Sequence, residues 1–185
     1  FTIDPVRERA QLLSLPRDTY ITIPTTGEQT KLGHAFAYGG PELSMRTVEA
    51  FLDTDIDYYG IVDYKAVERL VDAIGGVEVD IPQDYTYEDP TTVPPLKIDF
   101  KKGPQLLDGK EAVKFLRIRK PYEEQDIGRI QAQQGFLMTV FDQLKTPSII
   151  FKIPELIDIA VDHVSTDLNY GQIAYLAKMG LGFEK

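Results

Sequence analysis

The chain has 185 residues, with 20 Lys and Arg against 29 Asp and Glu, giving a formal net charge of −9. Hydrophobic residues make up 43% and charged residues 26%, an ordinary globular composition that argues against collagen-like, disordered and coiled-coil classes and fits one core. The acidic balance argues against nucleic-acid binding, which needs a basic footprint, and the absence of Cys rules out disulfides, thiolate metal sites and a cysteine nucleophile.

Ala10 to Leu15 reads as a short apolar strand ending at Pro16, and Thr19 to Ile23 as a second ending at Pro24. Thr25 to Lys31 is expected to be a polar loop. Gly39-Gly40-Pro41 marks a break, followed by a helix through Leu43, Val48, Phe51 and Leu52. Ile56 to Val62 reads as a strand. Val67, Leu70, Val71 and Ile74 then fall at i, i+3, i+4 and i+7 of a helix that Gly75-Gly76 stops. Val77 to Ile81 alternates as a strand, Gln83 to Pro95 is expected to be a long loop, and Leu96 to Phe100 another strand. Asp108 to Phe115, Ile127 to Leu144, Pro147 to Val164 and Tyr170 to Leu181 read as helices. Strands alternating with helices predict an α/β layered domain spanning 1–185, with no repeat and no internal boundary.

Three charged segments stand out. Ser14-Leu15-Pro16-Arg17-Asp18-Thr19 ends an apolar strand, where open α/β sheets gather ligands. Arginine can grip two phosphate oxygens with its planar fork while aspartate holds a hard cation; the plainer reading is a turn with a surface ion pair. In Arg117-Ile118-Arg119-Lys120, an extended backbone would aim Arg117 and Arg119 at one pocket, whereas a helix would turn them apart by roughly 200°. In Asp126-Ile127-Gly128-Arg129, Asp126 fits an N-cap, while Arg129 opposes the helix dipole unless an anion binds there. Asp126 and Gln133 project onto the apolar stripe formed by Ile130, Leu137, Val140, Phe141 and Leu144. Lys31 and His34 are weaker candidates. The two histidines, His34 and His163, lie too far apart in sequence to suggest zinc. No apolar run reaches the length of a membrane span, no signal peptide is visible, and a chain opening on Phe1 without Met reads as a fragment.

Taken together, these segments resemble the LytR-CpsA-Psr family of bacterial cell-envelope proteins. The likeness is carried in order by Ser14 through Thr19, Lys31 with Ala37-Tyr38-Gly39-Gly40-Pro41-Glu42-Leu43, and Ile56-Asp57-Tyr58-Tyr59. It continues with Val71 through Val79, Gly109-Lys110-Glu111-Ala112, Arg117-Ile118-Arg119 and Asp126 through Gln134. The resemblance implies an αβα sandwich in which a central mixed β-sheet is covered by helices on both faces. It also implies a long apolar lipid pocket and an arginine-rich diphosphate site with Mg2+. Arg17, Arg117, Arg119 and Arg129 would bind the diphosphate, with Lys31 beside them; Asp18 would be the metal ligand, Gln133 would line the site, and Asp126 would position an arginine or assist proton transfer. An upstream strand with a second metal-binding Asp and an N-terminal membrane anchor belong to the same expectation and are not in this chain.

The reading that follows is a magnesium-dependent phosphotransferase at the outer face of the bacterial cytoplasmic membrane. It would move a glycopolymer from a polyprenyl-diphosphate carrier onto peptidoglycan, with no nucleic-acid partner. The alternatives are a polyprenyl-diphosphate hydrolase, a non-catalytic lipid-phosphate or glycopolymer binding protein and, against the charge of −9, a transcriptional regulator. The reading predicts an elongated apolar cavity that opens at the arginines, with Arg117 and Arg119 extended into the same pocket as Arg17 and Arg129.

Overall fold

The structure, a computed structural model, describes residues 1–93, 95–118 and 125–180, the first three of the last segment by backbone alone. In chain order it runs β1 (Thr2–Asp4), β2 (Arg9–Gln11), β3 (Tyr20–Thr22), β4 (Gln29–Lys31), α1 (Leu32–Leu52), β5 (Gly60–Val62) and α2 (Tyr64–Ile74). It continues with β6 (Val77–Ile81), β7 (Tyr85–Asp89), β8 (Leu96–Phe100), β9 (Gly103–Leu107), α3 (Gly109–Leu116) and α4 (Gln125–Leu144). Then come α5 (Pro147–Ile150), α6 (Ile153–His163), β10 (Val164–Thr166) and α7 (Tyr170–Gly180).

The α/β class holds. Among the described residues the strands pair in five antiparallel ladders, β1–β2, β3–β4, β5–β10, β6–β9 and β7–β8. Four local expectations are corrected. Gln29–Lys31, expected to be loop, is β4, because pairing Tyr20 with Lys31 and Ile21 with Thr30 buries Ile21 and Thr30 on one face. The helix expected after Pro41 begins at Leu32 and bends at Gly39-Gly40, where Gly40 takes φ 62°. Tyr85–Asp89, expected to be loop, pairs with β8, and Gly103–Leu107, unassigned from sequence, pairs with β6. The single helix expected over 147–164 breaks at Phe151–Lys152, and Val164 opens β10.

The main core joins α2, β6, β8, β9, α3 and α4 through Val71, Ile74, Val77, Val79, Ile81, Ile98, Phe100, Leu107, Phe115 and Phe136. Local chemistry sets the helix ends. The Asp63 carboxylate accepts from Ala66 N at 2.7 Å to cap α2, and Gly75 ends it at φ 89°. Asp108 and Glu111 form a reciprocal capping box on α3. The carbonyls at the end of α2 are then taken up from outside. Lys152 Nζ donates to Ala73 O at 2.8 Å, and Gln143 Nε2 to Gly76 O just beyond at 2.7 Å.

Where α3 crosses α2, a Cβ at Gly109 would collide with the Glu68 backbone, whereas one at Gly135 in exposed α4 would meet nothing within 4 Å. Gly109→Ala should therefore destabilise the fold by about 1–3 kcal/mol. Gly135→Ala should stabilise it by about 0.5–1 kcal/mol. Urea unfolding of both variants checks the opposite signs.

Candidate functional site

The turn that carries the first charged segment is built by backbone hydrogen bonds. Thr19 N donates to Pro16 O at 3.0 Å, Gly33 N to Arg17 O at 2.8 Å, and Leu32 N to Thr19 O at 2.8 Å. These bonds set the start of α1 directly against Arg17. A Cβ at Gly33 would lie 3.3 Å from the Arg17 carbonyl oxygen, so this close approach favours glycine. Lys31, the last residue of β4, projects its ammonium to 3.0 Å from Asp18 Oδ1, and Arg17 Nε lies 3.9 Å from Asp18 Oδ2. All three side chains remain around half exposed and accessible to a ligand.

The hydrogen bond from Lys31 is the main cause that holds the Asp18 carboxyl below its ordinary range, followed by the charges of Lys31, Arg17 and Arg129. Arg129 therefore acts on Asp18 across the space between α4 and the turn. The approach of α4 is set by Gln134, whose Nε2 donates to Ser14 Oγ at 2.9 Å. Arg17, Lys31 and Asp18 thus form one cluster, which the charge of Arg129 reaches from α4.

Of the other expected residues, Arg117 and Gln133 have described partners of their own. Arg117 is not extended: as the C-cap of α3 it sits at φ −89°, ψ −8°, because its amide completes the last helical turn. Its guanidinium lies 5.5 Å from the centre of the Tyr64 ring. It also acts on Asp89, whose carboxyl is lowered first by hydrogen bonds from Thr91. The expectation of an extended backbone at Arg117 is corrected accordingly. Arg119 lies outside the described residues. Asp126 falls inside α4, which starts at Gln125, rather than at its N-cap; its side chain lies outside the described residues. Gln133 Nε2 donates to Leu116 O at 3.4 Å and links α4 to the end of α3.

A cavity of about 500 Å³ is walled by α2, α4, α6 and α7, with Phe1 and Ile3 of the N-terminal segment. Val67 and Leu70, Phe136 and Val140, and Leu156 and Leu176 represent its lining, which is apolar apart from Lys145. The expected mouth at the arginines is not seen among the described residues: neither Arg17 nor Arg129 lines the cavity, though Arg129 lies on the same helix as Phe136. Sequence periodicity anticipated the contribution of α4; the walls from Val62 and α7 carried no signal of their own, because helix amphipathicity does not tell core from cavity. Tyr64 was likewise missed as a partner of Arg117.

As a metal site the cluster offers one carboxylate. Among the described residues there is no group of three His, Asp or Glu side chains placed to hold a metal ion. Asp18, kept ionised by its neighbours, fits the single protein ligand of a magnesium ion that draws its other oxygens from phosphate and water. No helix among the described residues is long and apolar enough to cross a membrane.

The LytR_cpsA_psr family model matches residues 1–185. A polyisoprenyl-teichoic acid–peptidoglycan teichoic acid transferase, TagV of Bacillus subtilis (strain 168), is 34% identical over 184 residues, covering 98% of this chain and 47% of its own length. The chain thus spans about half of that relative. The crystal structure of B. subtilis TagV superposes with a TM-score of 0.81 at 32% identity, covering 98% of this chain and 69% of that one. TagT bound to LI-WTA superposes with a TM-score of 0.76 at 28% identity, covering 98% and 66%.

Removing the Lys31 ammonium should let the Asp18 titration midpoint rise toward the ordinary value of 3.8. A depressed carboxyl adds stability above its unfolded pKa and loses it as pH falls through the folded one, so Lys31→Ala should also narrow this acid-labile part. Carboxyl-carbon NMR titration of wild type and Lys31→Ala measures the shift; an unmoved midpoint would contradict the assigned partner.

Proposed function

Because the chain belongs to the LytR_cpsA_psr family, we propose that it carries the phosphotransferase site of a cell-envelope glycopolymer transferase. The donor is a glycopolymer on a polyprenyl diphosphate, the acceptor is peptidoglycan, and the site works at the outer face of the cytoplasmic membrane. One juxtaposition carries this reading: a cationic cluster and an apolar cavity share α4. A ligand that satisfies both has a polyanionic head and a long hydrocarbon tail. The names of the TagV relative and of the TagT complex support the same choice of donor and acceptor.

In the proposed reaction an acceptor hydroxyl attacks the sugar-linked phosphorus. The new phosphorus–oxygen bond forms as the bond to polyprenyl phosphate breaks, and the hydroxyl proton leaves with the departing phosphate or to water. Arg17 and Lys31 hold phosphoryl oxygens, and Arg129 adds positive charge along α4. Preorganised cations stabilise charge on transferring oxygens without a covalent intermediate on the protein. Magnesium, held by Asp18, would add neutralising charge at those oxygens. Arg119 and Asp126 are proposed members of the same site on the strength of the family resemblance.

Replacing Arg17 with Ala should lower kcat/KM for a lipid-diphosphate donor by about 10–100-fold, the worth of a charge-assisted hydrogen bond. Narrowing the cavity with Ala160→Phe should raise the KM of a long-chain donor more than that of a short-chain one. Product analysis with and without glycan separates transfer from hydrolysis, since release of free polymer at the same rate in both would make the protein a hydrolase.

For the metal, chelation should abolish turnover and magnesium should restore it. Asp18→Asn should demand a higher magnesium concentration for half-maximal rate. Identical magnesium titrations for Asp18→Asn and wild type would remove Asp18 as the ligand.

A further inference from the structure

The exposed face of the β3–β4 hairpin begins at the cationic cluster. Leu32 N donates to Thr19 O and Ile23 N to Glu28 O, each at 2.8 Å. These bonds flank the facing pairs Tyr20–Lys31 and Thr22–Gln29 rather than joining them, so both pairs are of the close, non-hydrogen-bonded kind. The pleat sends Ile21 and Thr30 inward and leaves Tyr20, Thr22, Gln29 and Lys31 on the exposed face. Facing side chains in such a pair stand about 4.5–5.5 Å apart at Cβ. Tyr20 is thus the cross-strand neighbour of Lys31, whose ammonium lies 3.0 Å from Asp18 Oδ1.

This face changes character along its length. It is cationic at Lys31, and the three side chains beside and beyond it, Tyr20, Gln29 and Thr22, are uncharged. Tyr20 is 67% exposed, and among the described residues no hydrogen bond or ring contact engages the side chains of Tyr20, Thr22 or Gln29. A tyrosine ring presents an apolar face and a polar tip, so it suits a ligand that is itself apolar on one side and polar at its edge. A sugar ring has that form: its C–H face lies on the aromatic ring while its hydroxyls reach a threonine hydroxyl and a glutamine amide. The separation of a cross-strand pair also suits a phosphate and the sugar ring esterified to it, with the phosphate at Lys31 and the ring at Tyr20.

We propose that this face is the sugar subsite of the donor: Tyr20 stacks on the sugar ring esterified to the diphosphate, Thr22 and Gln29 take its hydroxyls, and Lys31 with Arg17 holds the phosphoryl oxygens. The proposal deepens the transferase reading and rests on it for the diphosphate. It makes Tyr20 a specificity-determining residue, which touches the sugar and not the phosphorus.

The test measures binding, so it does not depend on turnover. The protein is titrated with farnesyl diphosphate, with farnesyl diphosphate carrying one hexose on its terminal phosphate, and with a peptidoglycan disaccharide. The hexose should tighten wild-type binding by about 3–10-fold, the worth of one aromatic stacking contact. Tyr20→Ala should lose that gain and bind the bare lipid as wild type does, whereas Tyr20→Phe should keep it. Gln29→Ala, on the facing strand, should lose part of it with the ring still in place. Both positions are exposed, so these variants leave the packing of Ile21 and Thr30 beneath the hairpin intact. A hexose gain that is absent in wild type, or unchanged in Tyr20→Ala, overturns the subsite and leaves the diphosphate reading standing. An equal loss for the bare and the hexosyl lipid in Tyr20→Ala also overturns it, because the ring then serves the phosphate or the hairpin instead of the sugar. Disaccharide binding that weakens in Tyr20→Ala while hexosyl-lipid binding does not overturns the choice of donor and gives the face to the acceptor. Wild type that binds neither lipid brings down the diphosphate reading and the subsite together.

Discussion

Helix α4 has to serve two environments at once, and two amide side chains hold it in the position that makes this possible. Gln134 ties it to Ser14, just ahead of the Arg17 turn, and Gln143 ties its far end to the carbonyl of Gly76. Held at these points, the helix brings Arg129 within electrostatic reach of Asp18 and turns Phe136, Val140 and Leu144 toward the apolar cavity. Partly buried amides of this kind are costly to leave unpaired, so each bond selects the helix position as well as stabilising it. Charge and hydrocarbon are incompatible solvents for one ligand unless a rigid element separates them, and α4 supplies that separation.

The charge distribution completes the arrangement. A chain of net charge −9 would repel a diphosphate, yet Arg17 and Lys31 gather around one carboxylate, which the charge of Arg129 also reaches. Asp18 compensates three cations that would otherwise repel one another, and the cations in turn keep it ionised. Arg117 has partners of its own, the Tyr64 ring and Asp89.

Elements with their own punctuation were legible before any coordinates. Helix α2 follows from a four-point apolar spacing closed by Gly75-Gly76, α3 from Asp108 and Glu111, and β6 from strict alternation. Elements that depend on a distant partner were not. Strand β4 and strand β7 are polar segments whose regularity comes from β3 and β8, and neither carries an apolar alternation of its own. Phe151–Lys152 broke an expected single helix because Lys152 turns to donate to Ala73 O, a contact across 79 positions in the chain.

The amino-acid sequence by itself determined the α/β class, the positions of the capped helices, and the family through an ordered series of short motifs. It also marked Arg17, Asp18 and Arg129 as charges in need of a reason, because their helix and turn contexts give weak local ones. Tertiary structure decided which charges meet. Lys31, a weak candidate on sequence, proved to be the nearest cation to Asp18, at 3.0 Å, because β3 and β4 pair and deliver it there. Arg117, whose segment was open between strand and helix on sequence, closes a helix because its amide completes the last turn. The apolar cavity beside α4 is likewise a property of packing: periodicity shows which face of a helix is apolar, and only the placement of its neighbours decides whether that face meets side chains or space.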